Sequence, residues 1–307
     1  MRKANDSSLD FNDYIIVRKE AERLLYDSDA VGRFPTPVSD IMTTARVVVA
    51  PENVLDESFL KQIRRKAGRA LKRALTKVLG LFDAKGRLIY IDHSVHKNKK
   101  PFLKLHETGH AVLPWQSDAY CFIEDCKQTL SPEISEQFDK EANVFATEVL
   151  FQLDGFTKEA ADHPLEIKSP LRLSKKYGTS VYSTIRRYVS THQRNCVVLV
   201  LNPPEYVPRE GYKAQLRRVV SSESFTRLFG PMEWPDVFTH FDSIGALIPL
   251  EGRRMSSPRS LVLTDRNGMR WECVAEGFTQ GYQVFILIYT KSALSRVIVQ
   301  TKYPPHW

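Results

Sequence analysis

Over residues 10–26, DFNDYIIVRKEAERLLY, apolar positions at Phe11, Tyr14, Ile15, Ala21, Leu24 and Leu25 recur at helical spacing and predict an amphipathic helix. The run PTPVSDIMTTARVVVAP predicts a short helix opened near Pro37, then a strand at Val47–Ala50 that Pro51 stops. A strong helix is predicted over Glu57–Leu79, with Phe59, Leu60, Ile63, Ala67, Leu71 and Val78 in one stripe. Lysines and arginines cover its remainder and Gly80 caps it. Arg87–Asp92 (RLIYID) reads as a strand after an Ala-Lys-Gly turn. Lys100–Leu113 reads as a helix with Pro101 in its first turn, ended by Pro114. Ser131-Pro132 opens another helix running to about Leu153, before an Asp154-Gly155 stop, and a third helical block covers 170–192. Beyond Asn195 the texture changes to short strands (VVLVL, SLVLTD, RWECVAEGF, QVFILIYT, SRVIVQT) with Gly/Pro turns. That pattern predicts a separate α+β or mainly β domain, and no internal repeat is visible.

The length of 307 residues suits two or three domains, and 42% hydrophobic with 26% charged residues excludes wholesale disorder. No apolar run approaches the ~18–20 residues needed to span a bilayer, so no membrane partner is expected. The first residues, MRKANDSSLDFNDY, carry a basic pair but no apolar core or small-residue cleavage site, which argues against secretion. Four cysteines (121, 126, 196 and 273) form neither a disulfide framework nor a paired zinc-finger spacing. Reduced thiols in a cytoplasmic protein are expected.

The net charge of +8 is unevenly spread. From Glu57 to Lys104 there are 14 Lys/Arg against three acids; from Leu113 to Glu166 there are 12 acids against three lysines. Lys168–Arg194 then holds seven basic residues and no acid. Such polarity raises a nucleic-acid hypothesis, with solvated helix faces as the ordinary alternative.

His106-Glu107-Thr108-Gly109-His110 is an H-E-x-x-H pattern on a predicted helix. Positions i and i+4 share a helix face, so both imidazoles can reach one metal ion. Neutral imidazoles suit Zn2+, with a position left open for water, and Glu107 can serve as general base and acid. Mn2+ is the alternative ion, because geometry and availability decide the metal. A third protein ligand is sought on the helix 132–153. There Glu141 projects at the edge of an apolar stripe of Ile134, Phe138, Ala142, Phe145, Ala146 and Val149. A carboxylate at that edge calls for a partner, which makes Glu141 the leading candidate. Glu148 is the reserve, and Glu133, Glu136 and Asp139 project further toward solvent.

The run FLKLHETGHAVL followed by EANVFATEVL resembles the ImmA/IrrE family of bacterial metallopeptidases, whose core pairs an H-E-x-x-H helix with an E-A-N-x-F-A helix. The likeness spans roughly residues 10–155, and the long basic helix 57–79 departs from minimal members. It implies that Glu141 completes a metal site with His106 and His110. With the basic middle block and a C-terminal domain, the whole chain resembles the IrrE branch. That implies an α+β protein: a mainly helical zincin-like peptidase domain (1–160), a helix-turn-helix-like region (161–195) and a GAF-like sensor domain (196–307). The function implied is a site-specific endopeptidase that cleaves a helix-turn-helix repressor of the DNA-damage response (DdrO-like). Cleavage would induce repair genes after radiation or desiccation.

The remaining candidates are weaker. LRLSKKYGTSVYSTIRRYVSTHQ (171–193) has a helix-turn-helix layout in which Ser180 can cap the second helix and Arg186 and Arg187 could touch phosphates. Packing or substrate docking is the competing reading, and any DNA contact is expected to be weak or indirect. His93 and His96 precede the catalytic helix and could line the cleft or stabilise an oxyanion, with exposed loop histidines the commoner case; Tyr120 could donate to an oxyanion, with core or surface packing the competing reading. Ile89 and Ile91 lie on a strand that could pair with substrate backbone if it were an edge. Trp271, Phe278, Tyr282, Phe285 and Tyr289 could line a pocket for an unknown small-molecule signal, or simply form a core. The rival function is a DNA-binding transcriptional regulator with a structural metal site.

Overall fold

The computed structural model describes residues 9–50, 80–83, 86–91, 95–126, 130–209, 211–250, 252 and 254–293. The basic helix predicted over 57–79, His93 and the strand SRVIVQT therefore lie outside the described residues. The chain divides into two compact units: Lys3–His163 with Lys168–Thr184, and Pro164–Ile167 with the chain from Ile185 onward. The block 161–195 is thus shared between the two.

The first unit begins with α1 (Phe11–Asp27), capped by Asp10, whose side chain accepts from the Asp13 amide. α2 (Val38–Thr44) and β1 (Val48–Val49) follow where the pattern places them. β2 (Gly80–Asp83) and β3 (Leu88–Ile91) complete a three-stranded sheet in the order β1-β3-β2. β1 runs parallel to β3, and β2 antiparallel to it. β3 is therefore the central strand, not an edge, and its backbone is paired on both sides. Ile89 and Ile91 are buried in the core, so the expectation that they bind substrate backbone is corrected.

α3 (Lys100–Val112) carries the H-E-x-x-H run. Pro114 does not simply end helical structure: Leu113 alone is extended, and α4 (Pro114–Cys126) starts at once with the proline in its first turn. α5 (Pro132–Leu150) is capped by the Ser131 hydroxyl, which accepts from the Ile134 amide. It stops at Leu150, short of the expected Leu153, because Gln152 and Leu153 adopt left-handed backbone at φ 51° and 56°. The buried Gln152 side chain holds that turn: its Nε2 donates to the carbonyls of Ala30 and Arg33, and its Oε1 accepts from the Gly32 amide. α6 (Gly155–Ala161) and α7 (Lys168–Tyr177) close the unit, and Tyr177 packs on Phe34, Phe151 and Phe156.

Val17, Ala21 and Leu25 of α1, Ile41 of α2, Ile89 of β3, Leu105 of α3, and Phe145 and Val149 of α5 share one core. Within it α3 and α5 cross closely at Gly109. A Cβ on Gly109 would stand 3.1 Å from the Phe145 ring and 3.3 Å from the Ala142 Cα.

α8 (Val181–Ser190) leads into the second unit. Its sheet has the order β5-β6-β4-β10-β9-β8, with β7 pairing β6. The strands are β4 (Cys196–Leu201), β5 (Glu205–Val207), β6 (Gly211–Ser221), β7 (Val237–Thr239), β8 (Arg259–Thr264), β9 (Arg270–Thr279) and β10 (Val284–Ala293). All their pairings are antiparallel. α9 (Glu223–Phe229) contributes Phe225 and Phe229 to the core on one face. Among the described residues no helix is long and apolar enough to cross a membrane.

Gly109→Val is expected to destabilise the fold by about 1–3 kcal/mol through overpacking at this crossing. Urea unfolding reads it directly; an unchanged midpoint would mean the two helices are not held that close.

Candidate metal centre

Two turns of α3 set the site. His106 and His110 point their Nε2 atoms toward each other, 3.2 Å apart. Each ring is tied at its other nitrogen: His106 Nδ1 lies 3.1 Å from Asn143 Oδ1 and His110 Nδ1 lies 2.6 Å from Gln116 Oε1. An amide oxygen only accepts, so each Nδ1 carries the proton and each Nε2 keeps a bare lone pair. Burial, then each other's proximity, pushes His106 down to about 3, and burial pushes His110 down to about 4, so both are neutral near pH 7.

The third group comes from α5. Asp139 Oδ1 stands 3.9 Å from His106 Nε2 and 3.8 Å from His110 Nε2. Among the described residues these three form the group able to hold a metal ion, their donor atoms all within 4.8 Å of one another. Three acceptors converge on one point, an arrangement that a bound cation would satisfy. Two nitrogens about 2.05 Å from a tetrahedral zinc would be about 3.3 Å apart, close to the separation found. Asp139 is exposed and has room to swing in by the remaining half-ångström or so. The donor set of two imidazoles and one carboxylate therefore fits a catalytic divalent ion.

The structure does not bring Glu141 into this group. It is buried two residues, about half a turn, along α5 from Asp139, where its carboxylate accepts from Trp115 Nε1 (2.7 Å), Gln116 Nε2 (2.6 Å) and Gln137 Nε2 (3.0 Å). The partner that its burial called for is a set of neutral donors. Glu148, the reserve, accepts from Tyr14 and Arg18 and ties α5 to α1. The residues missed in the sequence, Asp139, Asn143 and Gln116, had detectable signals: Asp139 and Asn143 flank the E-A segment of α5, and Pro114 marks the start of α4.

Glu107 is buried on α3, and burial, then Asp139, raises its carboxyl to about 8. Tyr120 of α4 packs edge-on against His110, ring centroids 5.4 Å apart, and against Phe138. Burial, then the charges of Asp139 and Glu107, raises the Tyr120 hydroxyl, which therefore remains a donor. His96 is an exposed loop residue whose Nδ1 accepts from the Asn98 amide.

In the helix-turn-helix-like segment, the turn is packed on the first unit. Gly178 (φ 67°) sits where a Cβ would be 2.9 Å from the Pro35 side chain, and Lys176 lies over the Phe34 ring. Ser180 caps α8 by accepting from the Ser183 amide. Arg186 and Arg187 are half-buried. In the second unit Phe285 is buried, Tyr282 is exposed, Trp271 donates to Asp265, and Tyr289 donates to Glu276. A cavity of about 250 Å³ is lined instead by Asn202, Pro203, Glu205, Lys213, Gln215 and Val237, so it does not use those aromatics.

The pKa directions predict a pH dependence for the protein stripped of metal. Protonated Glu107 stabilises the fold fully below about 4.5, and this is lost as pH rises through about 8. The neutral histidines contribute above about 6.5 and lose that contribution as pH falls toward 3–4. In chelator, the melting temperature should drop from pH 6.5 to above pH 8, and Glu107→Gln should remove most of that drop. Equal drops in both proteins would contradict a buried, proton-holding Glu107.

A family model for the IrrE N-terminal-like domain, a peptidase family, matches residues 34–188. No curated protein matches the chain. Among solved structures, a Mycobacterium tuberculosis transcriptional regulator is similar over 89% of this chain and 87% of its own, with 14% identity and a TM-score of 0.49.

Proposed function

The chain belongs to the IrrE N-terminal-like peptidase family, and from that premise we propose that it is a zinc-dependent endopeptidase acting on a protein substrate. The observation that carries this reading is the convergence of two bare Nε2 atoms and the Asp139 carboxylate on one point beside a buried glutamic acid. His106, His110 and Asp139 would hold the metal, with manganese an acceptable substitute for zinc. When bound, the ion supplies a Lewis acid that polarises the scissile carbonyl. Glu107 takes the proton from the attacking water and hands it to the leaving amine. Tyr120, protonated and adjacent to His110, donates to the oxyanion as the tetrahedral carbon forms.

The substrate proposed is a helix-turn-helix repressor of the DNA-damage response, DdrO-like, whose cleavage switches on repair genes after radiation or desiccation. The family resemblance and the separation of basic and acidic segments support it. The second unit is proposed as a GAF-like sensor that regulates cleavage. The rival, a DNA-binding regulator with a structural metal, draws less support, because Arg186 and Arg187 are half-buried and the turn before them packs on Pro35.

Incubation of the purified protein with the candidate repressor, with and without zinc, should give one metal-dependent cut mapped by mass spectrometry. Glu107→Gln should abolish the cut while zinc stays bound, and Tyr120→Phe should lower kcat by roughly 10²–10³-fold. Cleavage at the wild-type rate by Glu107→Gln would sink the peptidase reading. Promoter binding that survives this change, with steep salt dependence, would favour the rival.

A further inference from the structure

We propose that Gln116 and Glu141 form a positioning relay that locks His110 in the tautomer able to bind metal. The inference rests on the metal centre proposed above and extends it to residues that touch neither metal nor substrate.

The hydrogen-bond roles leave one solution. Gln116 Nε2 faces the Phe138 backbone carbonyl at 3.2 Å, and that carbonyl can only accept. The same nitrogen faces Glu141 Oε2 at 2.6 Å. Both contacts require the amide nitrogen on that side, which turns Oε1 to His110 Nδ1, 2.6 Å away. The imidazole must then donate from Nδ1 and present Nε2 unprotonated to the centre. Glu141 is held in turn by Trp115 Nε1, which can only donate, and by Gln137 Nε2. Trp115 and Gln116 are neighbours on the first turn of α4, while Gln137, Phe138 and Glu141 lie on α5. The relay thus ties both helices to the ligand ring.

A free histidine prefers the opposite tautomer, with the proton on Nε2, where it would block the metal. His106 has a single amide contact, Asn143 Oδ1, at a longer 3.1 Å. His110 is therefore the ligand whose orientation is over-determined, and the buried Glu141 exists to fix an amide rather than to bind the ion.

The test reads two quantities other than activity on the full-length protein. The first is the His110 tautomer in chelator-treated protein, from long-range ¹H–¹⁵N spectra of ¹⁵N-histidine-labelled chain. The second is zinc affinity, by competition with a chromophoric chelator. Wild type should show Nδ1–H at His110. Gln116→Leu and Glu141→Leu should shift it toward Nε2–H and weaken zinc roughly 10–100-fold. Glu141→Gln keeps an oxygen for Trp115 and Gln116 and should leave both readouts near wild type.

An Nε2–H tautomer in the wild type overturns the relay without reliance on any variant. So does zinc affinity unchanged in Gln116→Leu while His110→Ala and Asp139→Ala lose zinc, an outcome that leaves the metal centre standing. Zinc affinity undiminished in His110→Ala and Asp139→Ala overturns the centre itself.

Discussion

The first unit is organised around one crossing, where α3 lies against α5 with only the hydrogen of Gly109 between its backbone and Ala142. A larger residue there would push apart the face that carries His106 and His110 and the face that carries Asp139, whose side chains lie within 4 Å of each other. At that spacing Asn143 reaches His106, Asp139 reaches both Nε2 atoms, and Phe145 seals the contact from the core side. A glycine inside a helix costs roughly 0.5–1 kcal/mol against alanine. Here that cost is offset by the packing of the two helices that build the site.

Electrostatics at the crossing follow from burial. Three acceptors share a small volume, and the acid next to them holds its proton up to about 8. The two imidazoles are kept neutral by the same desolvation. A divalent ion would relieve the facing lone pairs. The surrounding amides of Gln116, Asn143 and Gln137 add orientation without adding charge.

Much of this was legible in the sequence. α1, α2, α3, α5 and the strand-rich second unit sit where periodicity and turn residues place them, because each buries one continuous apolar face. The pair His106 and His110 follows from i, i+4 spacing alone. Glu141 shows where helix projection fails. Its buried carboxylate is satisfied by indole and amide donors rather than by a metal, and two of the three, Trp115 and Gln116, come from α4, an element that starts at the proline ending the α3 pattern. Asp139 projects toward solvent, and a carboxylate proposed as ligand of an open centre would face the cleft and so be exposed. β3 likewise became central through β1 and β2, a pairing that no local pattern in RLIYID announces.

His106, His110 and Asp139, and not Glu141, are the residues proposed to hold the ion. Anomalous diffraction at the zinc edge from zinc-loaded crystals tests this most directly. A single strong peak is expected about 2.0–2.2 Å from both Nε2 atoms and from an Asp139 carboxylate oxygen. Glu141 should remain on Trp115 and Gln116. A zinc ligated by Glu141 with Asp139 turned away, or no peak between the histidines, would contradict it.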